Sequence, residues 1–220
     1  VQVTYRAVLF DLDGTLLDNS DYWQAAHQEL LASRLANVPA GALDGLTGMS
    51  TSEAVATVRA RVGWTAGDIA ADTRWLEERV STELLGSVKW LPAALDRVAQ
   101  ARAAGAATAL VTSSSRLLVD SVLSGGWTGL FDVVVCGDDV TRVKPDPEPY
   151  LRATAALGLP ASDCVAIEDS ALGVASATAA GCAVVHLGHT QPQCCNGIPA
   201  TDLAALDIGD LLRDLTMSRR

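Results

Sequence analysis

No stretch of this sequence approaches the roughly 20 consecutive apolar residues that a membrane-spanning helix requires, although 49% of its 220 residues are hydrophobic. Charges interrupt the apolar runs throughout, so a soluble protein with no membrane partner is expected. The segment VQVTYRAVLF has too short an apolar part and no small-residue cleavage site. No secretory leader is visible, and the cytoplasm is the expected compartment. Basic residues are scarce, 16 against 26 acidic ones, giving a net charge of -10. Neutralising a nucleic acid needs a basic face, which excludes that class of partner. Paired cysteines are also missing. Cys136, Cys164, Cys182, Cys194 and Cys195 show no C-x-x-C spacing, and an odd count fits reduced thiols better than a disulfide framework. The three histidines are scattered, and His186-Leu-Gly-His189 lacks a third ligand, which argues against a histidine metal site.

What is present is an alternating pattern. The runs Ala7–Phe10, Ala107–Val111, Val133–Cys136, Cys164–Ile167 and Ala183–Leu187 are mostly apolar and continuous rather than alternating in polarity, as strands of a parallel sheet covered on both faces would be. Helical patterns lie between them, with Pro92 near the start of one that stops at Gly105, Asp146-Pro147 opening another and Gly181 closing a third. This alternation predicts an α/β fold built on a doubly wound parallel sheet. The interval 19–86 breaks the rhythm. It holds no convincing strand but three stripes at helical spacing: Trp23, Ala26, Leu30 and Leu31; Val55, Val58 and Val62; Ile69, Leu76, Val80 and Leu84. The expected organisation is a core of residues 1–18 and 87–220 carrying an inserted α-helical cap, residues 19–86.

The first run leads straight into Asp11-Leu-Asp13-Gly14, two carboxylates placed where repulsion and desolvation are costly. A calcium loop counted from Asp11 would need glycine at its sixth position and glutamate at its twelfth. Leu16 and Tyr22 stand there instead. Three further strand ends carry chemistry of their own. Thr112-Ser113-Ser114-Ser115 offers hydroxyls and backbone N–H groups at a helix start, where a phosphate is favoured. Lys144 precedes a rigid Pro-Asp-Pro, and Glu168-Asp169 follows the fourth strand. Ligands of open α/β sheets sit beyond the carboxyl ends of the strands, so the four clusters converge on one crevice. Clustered carboxylates call for a divalent cation, and hydroxyl, amide and ammonium groups for an anion. Magnesium and a phosphate satisfy both. Asp11 then acts as nucleophile and Asp13 as the acid that protonates the leaving group and later activates water.

Asp11-Leu-Asp13-Gly14-Thr15, Thr112-Ser113, Lys144-Pro145 and Glu168-Asp169, in that order, resemble the four signature motifs of the haloacid dehalogenase-like phosphohydrolases. The resemblance implies a Rossmann-like core with a small helical cap, acting on a small phosphorylated metabolite. It makes Asp11 the nucleophile, Asp13 the general acid/base, Thr112, with Ser113 beside it, and Lys144 the phosphate ligands, and Asp169 a magnesium ligand. Asp11, the Asp13 carbonyl and Glu168 would complete the metal site. The branch it is most similar to contains sugar-phosphate phosphatases, phosphoglycolate phosphatases and β-phosphoglucomutases. The mutase pattern has a histidine where Trp23 stands and an arginine where Thr51 follows Gly48-Met-Ser50, so water is the expected phosphoryl acceptor. Asn19, Trp23, Met49 and Thr51 are candidates for substrate contact, with packing as their other reading. A phospho-accepting receiver domain is the rival from another class. It wants adjacent acids after its first strand and an acceptor such as Asp138, and it leaves the helical insert unexplained. A monomer or small homo-oligomer is expected, with Arg213, Arg219 and Arg220 as solvated surface.

Overall fold

The five runs become the strands of one sheet, most of their residues buried, with Val133 and Val134 only partly covered at its edge. They are β1 (Ala7–Phe10), β2 (Ala107–Val111), β3 (Val133–Val135), β4 (Cys164–Glu168) and β5 (Ala183–Leu187). A computed structural model describes residues 5–125, 127, 129–188, 198–200 and 202–213. Cys194, Cys195, His189, Arg219 and Arg220 lie outside the described residues, as does the side chain of Arg213. A sixth strand, β6 (Ile198–Ala200), pairs with β5 and was not expected from the sequence. It is three residues long and contains Pro199, which cannot donate to a ladder; the sheet edge is where such a strand is tolerated.

All pairings are parallel, in the order β3-β2-β1-β4-β5-β6. The chain therefore winds outward from β1 through β2 and β3, then crosses to β4 and winds the other way. The reversal falls between β1 and β4, where a ligand crevice opens at the carboxyl ends. Phe10 is in register with Leu110 on one side and Ile167 on the other. Asp11 and Glu168 consequently leave the sheet at the same level. Cys136, expected as the last residue of β3, instead starts a turn: its N–H donates to the Asp139 carboxylate at 2.8 Å. Glu168 extends β4 by one residue, opposite His186.

The strands alternate their side chains between two apolar layers. Ala7, Leu9, Ala109 and Ala166 face Tyr150 and Ala153 of α6 (Glu148–Leu157) and Val174 and Ala177 of α7 (Ala171–Ala180). Val8, Phe10, Leu110 and Ile167 face the layer that contains α4 (Ala94–Ala103), α5 (Arg116–Leu123) and the short α8 (Ile208–Arg213). Cys136, Cys164 and Cys182 are buried free thiols.

Between β1 and β2 lie α1 (Ser20–Arg34), α2 (Thr51–Val62) and α3 (Ile69–Gly86). The sequence stripes form their packed faces: Ala26, Leu30 and Leu31, then Val55 and Val58, then Leu76, Val80 and Leu84 are buried together. Ile69, expected on the third stripe, is 38% exposed at the start of α3. Ser50 and Glu53 cap α2 reciprocally, and Gly63 ends it in the left-handed region. α3 packs on both α1 and α2 and also against α5 of the core. The two connections to this insert run side by side, with Asp18 N–H donating to the Lys89 carbonyl at 2.8 Å and Leu91 N–H to the Leu16 carbonyl at 2.9 Å. Among the described residues, no helix is long and apolar enough to cross a membrane.

Candidate active site

β1 delivers Asp11 to the carboxyl edge, where its N–H still donates to the Ile167 carbonyl at 3.1 Å. Beyond it the chain turns tightly around the Leu12 carbonyl, which accepts from the N–H groups of Leu16 and Leu17, each at 2.9 Å. Gly14 sits in this turn at φ +83, and a Cβ there would fall 2.1 Å from Asp169 Oδ2. Only glycine permits both the backbone conformation and the close approach to that acid.

Lys144 reaches the same place from the loop before α6. That loop is fixed at both ends: the Glu148 carboxylate accepts from the N–H groups of Thr141 and Arg142 at 2.8 and 3.0 Å. Ser176 Oγ, on α7, donates to the Asp146 carbonyl at 2.5 Å. A lysine before a helix is surface in most proteins, yet Lys144 is 2% exposed. Its Nζ donates to Asp11 Oδ1 at 2.7 Å, Glu168 Oε1 at 2.5 Å and the Val111 carbonyl at 2.9 Å, which uses all its protons. Burial alone would lower its pKa, but Asp11 and Glu168 override that and hold the ammonium above its ordinary range.

Glu168 is fully buried. Besides Lys144 it accepts from Tyr150 Oη at 2.5 Å and from Ser170 Oγ at 3.2 Å. Ser170 also caps α7, accepting from Gly173 N–H at 3.0 Å. A Cβ at Gly173 would lie 2.0 Å from the Glu168 carboxylate, so glycine here lets the helix start close over the acid.

Asp13 has a different neighbourhood from Asp11. Its Oδ1 accepts from Asn19 Nδ2 at 2.5 Å, and its Oδ2 from Thr112 Oγ1 at 3.1 Å and Ser114 Oγ at 2.7 Å. One acid is paired with a cation and the other with neutral donors, an arrangement in which two carboxylates divide their roles. Thr112 thus touches Asp13, and its hydroxyl also accepts from Ser114 N–H at 3.0 Å. The hydroxyl of Ser113 is buried without a partner. Gly137 allows this loop to sit against the turn after β3, since a Cβ there would lie 2.5 Å from the Ser113 carbonyl.

Asp11, Glu168 and Asp169 bring carboxylate oxygens within 4.8 Å of one another. Burial, then repulsion from Glu168, pushes the Asp11 carboxyl well above its ordinary value, with Lys144 opposing. Burial and Glu168 likewise push Asp169 up to about 7. Asp169 Oδ1 is buried with no hydrogen-bond partner. An orphaned carboxylate oxygen inside an all-oxygen acidic cluster fits a hard divalent cation. His186 takes no part as a ligand in this cluster; its Nε2 lies 3.1 Å from the Asp169 backbone carbonyl.

A cavity of about 450 Å³ opens over these groups, between the strand ends and the helical insert. Asn19, Trp23, Met49 and Thr51 all line it, together with Asp11 and Lys144. Asn19 is also spent on Asp13, and Trp23 packs its other side on the insert's core. Sequence reasoning missed Tyr150 and Ser170 on Glu168, Ser114 on Asp13, and Gln24 and His27 in the cavity wall. The spacing of His27, four residues after Trp23 on one helix face, was the available signal.

The sequence pattern of the haloacid dehalogenase-like hydrolases matches residues 8–187. The chain belongs to that family. It is 33% identical to protein CbbY of Rhodobacter capsulatus over 82% of this chain and 84% of that protein. It is 34% identical to hexitol phosphatase A of Escherichia coli over 82% of each. It is 30% identical to validoxylamine A 7'-phosphate phosphatase of Streptomyces hygroscopicus over 98% of this chain and 96% of that one. Among solved structures, CbbY of Rhodobacter sphaeroides in complex with phosphate superposes with a TM-score of 0.73 at 28% identity, over 84% of this chain and 87% of that one. A mutant of the same protein was solved with xylulose-(1,5)bisphosphate. This haloacid dehalogenase-like hydrolase is an enzyme of the phosphoric monoester class.

Proposed function

We propose that the protein is a magnesium-dependent phosphatase that hydrolyses a small phosphomonoester, of the sugar-phosphate or phosphoglycolate type, through an aspartyl-phosphate on Asp11. The observation that carries this is the meeting of Asp11, Asp13, Lys144 and Asp169 in the wall of one cavity. Residues 19–86 act as a cap on a core of residues 1–18 and 87–220. The paired connections at Asp18 and Lys89 are the natural place for it to pivot.

In the first half-reaction an Asp11 oxygen attacks phosphorus, the bond from phosphorus to the leaving oxygen breaks, and Asp13 delivers a proton to that oxygen. In the second, water attacks the phosphoryl group, Asp13 takes the water's proton, and the Asp11 carboxylate is released with inorganic phosphate. The hydroxyls of Thr112 and Ser114 can turn from donor to acceptor as Asp13 changes its proton count. Lys144 opposes the burial and repulsion that raise the Asp11 pKa and holds that carboxyl in line, and with Thr112 and Ser113 it faces the phosphoryl oxygens. The Asp11 and Asp169 side chains, the Asp13 carbonyl and Glu168 would hold magnesium, which when bound supplies charge that keeps the acids ionised beside an anionic phosphorus centre.

A receiver-like reading finds no support at Asp138, whose carboxylate is occupied as acceptor of the Arg116 N–H at the start of α5. Phosphate release from a panel of phosphorylated metabolites, with magnesium and with chelator, tests the assignment. Release in the presence of chelator, or from none of the panel, would count against it.

A further inference from the structure

Resting on the phosphatase reading and narrowing it to its sugar-phosphate side, we propose that the cavity selects monophosphates whose leaving group is an uncharged polyol or sugar and rejects those carrying a second phosphate or a carboxylate, phosphoglycolate included. The distal wall decides this. Lys144 is the one cationic side chain among the described residues lining the cavity, and its protons are already shared by Asp11, Glu168 and Val111. Every other basic residue between positions 19 and 89 lies outside the cavity wall. Arg59 is buried against Asp72 and the carbonyls of Ala66 and Gly67, and Arg34 also turns to Asp72. Arg61 is held by the carbonyls of Gly41, Ala42 and Asp44. Arg79 pairs with Glu29 and Glu83, Lys89 sits over the Tyr22 ring, and Arg74 is exposed. A second anionic group bound far from Lys144 would lose water and meet no counter-charge. Asp44 at the rim adds repulsion.

The same wall offers what a hydroxyl needs. His27 is 6% exposed and its Nδ1 lies 2.8 Å from the Trp23 carbonyl. A carbonyl only accepts, so Nδ1 carries the proton and Nε2 of the neutral ring is left as an acceptor. That Nε2 is buried and has no partner. Burial holds the imidazole below its ordinary pKa, so it stays neutral. A hydroxyl can donate to such a nitrogen; a carboxylate or phosphate dianion brings only lone pairs. Gln24 and Thr51 supply further neutral polar groups, and the Trp23 ring supplies a flat apolar surface for sugar C–H groups.

Titration calorimetry of the Asp11→Asn variant with magnesium, against sorbitol 6-phosphate, 6-phosphogluconate and glucose 1,6-bisphosphate, tests the proposal. The expected result is a Kd at least tenfold lower for sorbitol 6-phosphate than for either more anionic compound. Equal or tighter binding of the carboxylate or the bisphosphate overturns it. If Asp11→Asn does not fold, the ratio of kcat/KM values for the three compounds with the wild-type enzyme reads the same order. Gln24→Arg, which puts a cation in the distal wall, is expected to narrow the gap for the bisphosphate at least tenfold; no change in that gap counts against the charge argument. Wild-type protein that releases phosphate from none of these compounds removes the phosphatase reading, while the binding order still decides the selectivity.

Discussion

Tyr150 and Lys144 donate to the same oxygen, Glu168 Oε1, each at 2.5 Å. The tyrosine ring also lies 5.4 Å from the Lys144 ammonium, a contact that phenylalanine keeps, so the effect of the hydroxyl passes through the orientation of Glu168. Tyr150→Phe removes one hydrogen bond to a buried charge, an interaction typically worth about 1.5–3 kcal/mol. The expected outcome is a roughly tenfold weaker apparent magnesium affinity with kcat at saturating magnesium nearly kept, as for other groups that orient metal ligands. Magnesium titrations of phosphate release on both proteins check it; an unchanged titration midpoint would show that Glu168 needs no help from α6.

The proposed division of roles between the first two acids predicts two different failures. Asp11→Asn should lower turnover at least about a thousandfold, roughly 4 kcal/mol of transition-state stabilisation, with the circular dichroism spectrum unchanged. Asp13→Asn should lose about 10²–10⁴ in steady-state rate, the usual worth of a general acid/base. It should still form phosphoenzyme slowly from p-nitrophenyl phosphate, whose leaving group needs no proton. Rapid-quench trapping of labelled enzyme separates the two variants, and unimpaired turnover in either would remove its assignment.

Much of this arrangement was legible in the chain because strands of a covered parallel sheet are written as mostly apolar, non-alternating runs, so β1 to β5 stood out together with the acids at the ends of β1 and β4. β6 was not legible: Ile198-Pro199-Ala200 owes its pairing to the free edge of β5 and has no pattern of its own. The Lys144 loop was visible as a motif, but local sequence there reads as surface. Its burial comes from β1, β2 and β4 supplying an acceptor each, which is tertiary information. Tyr150 was missed for the same reason, since it finds Glu168 only once α6 docks on the sheet, and Ser114, read as part of a hydroxyl cluster, reaches Asp13 only because β1 and β2 pair. His27 was weighed as a metal ligand by counting histidines, whereas its position one turn beyond Trp23 already placed both on the face that lines the cavity.

Removing the ammonium is expected to cost stability as well as activity. Lys144→Met leaves Asp11 and Glu168 facing each other in a buried site, and breaking such a pair typically costs about 3–5 kcal/mol. For a chain of this size that corresponds to a fall in Tm of roughly 6–20 °C. Magnesium should restore part of it by replacing the lost positive charge. Thermal melts with and without the metal test this, and an unshifted Tm would mean that the two acids are not both ionised beside Lys144.

Proton linkage gives the last prediction. In the metal-free fold Asp169 is raised to about 7 and Asp11 well above the ordinary value, in both cases first by burial and then by Glu168. The folded state therefore holds protons that the unfolded chain gives up above pH ~4. Stability then falls as pH rises from about 4 through 7, because between those values the native state binds more protons than the unfolded one. Buried His27, with its pKa lowered, works the other way and weakens the fold below pH ~6.5. On the proposed site magnesium binds the ionised acids, so the gain in Tm between chelator and magnesium isolates the carboxylates and cancels His27. That gain should be larger at pH 8 than at pH 5.5, and calorimetric titrations in two buffers of different ionisation enthalpy should show protons released on binding near pH 6.5. A gain independent of pH, with no proton release, would place the metal somewhere other than Asp11 and Asp169.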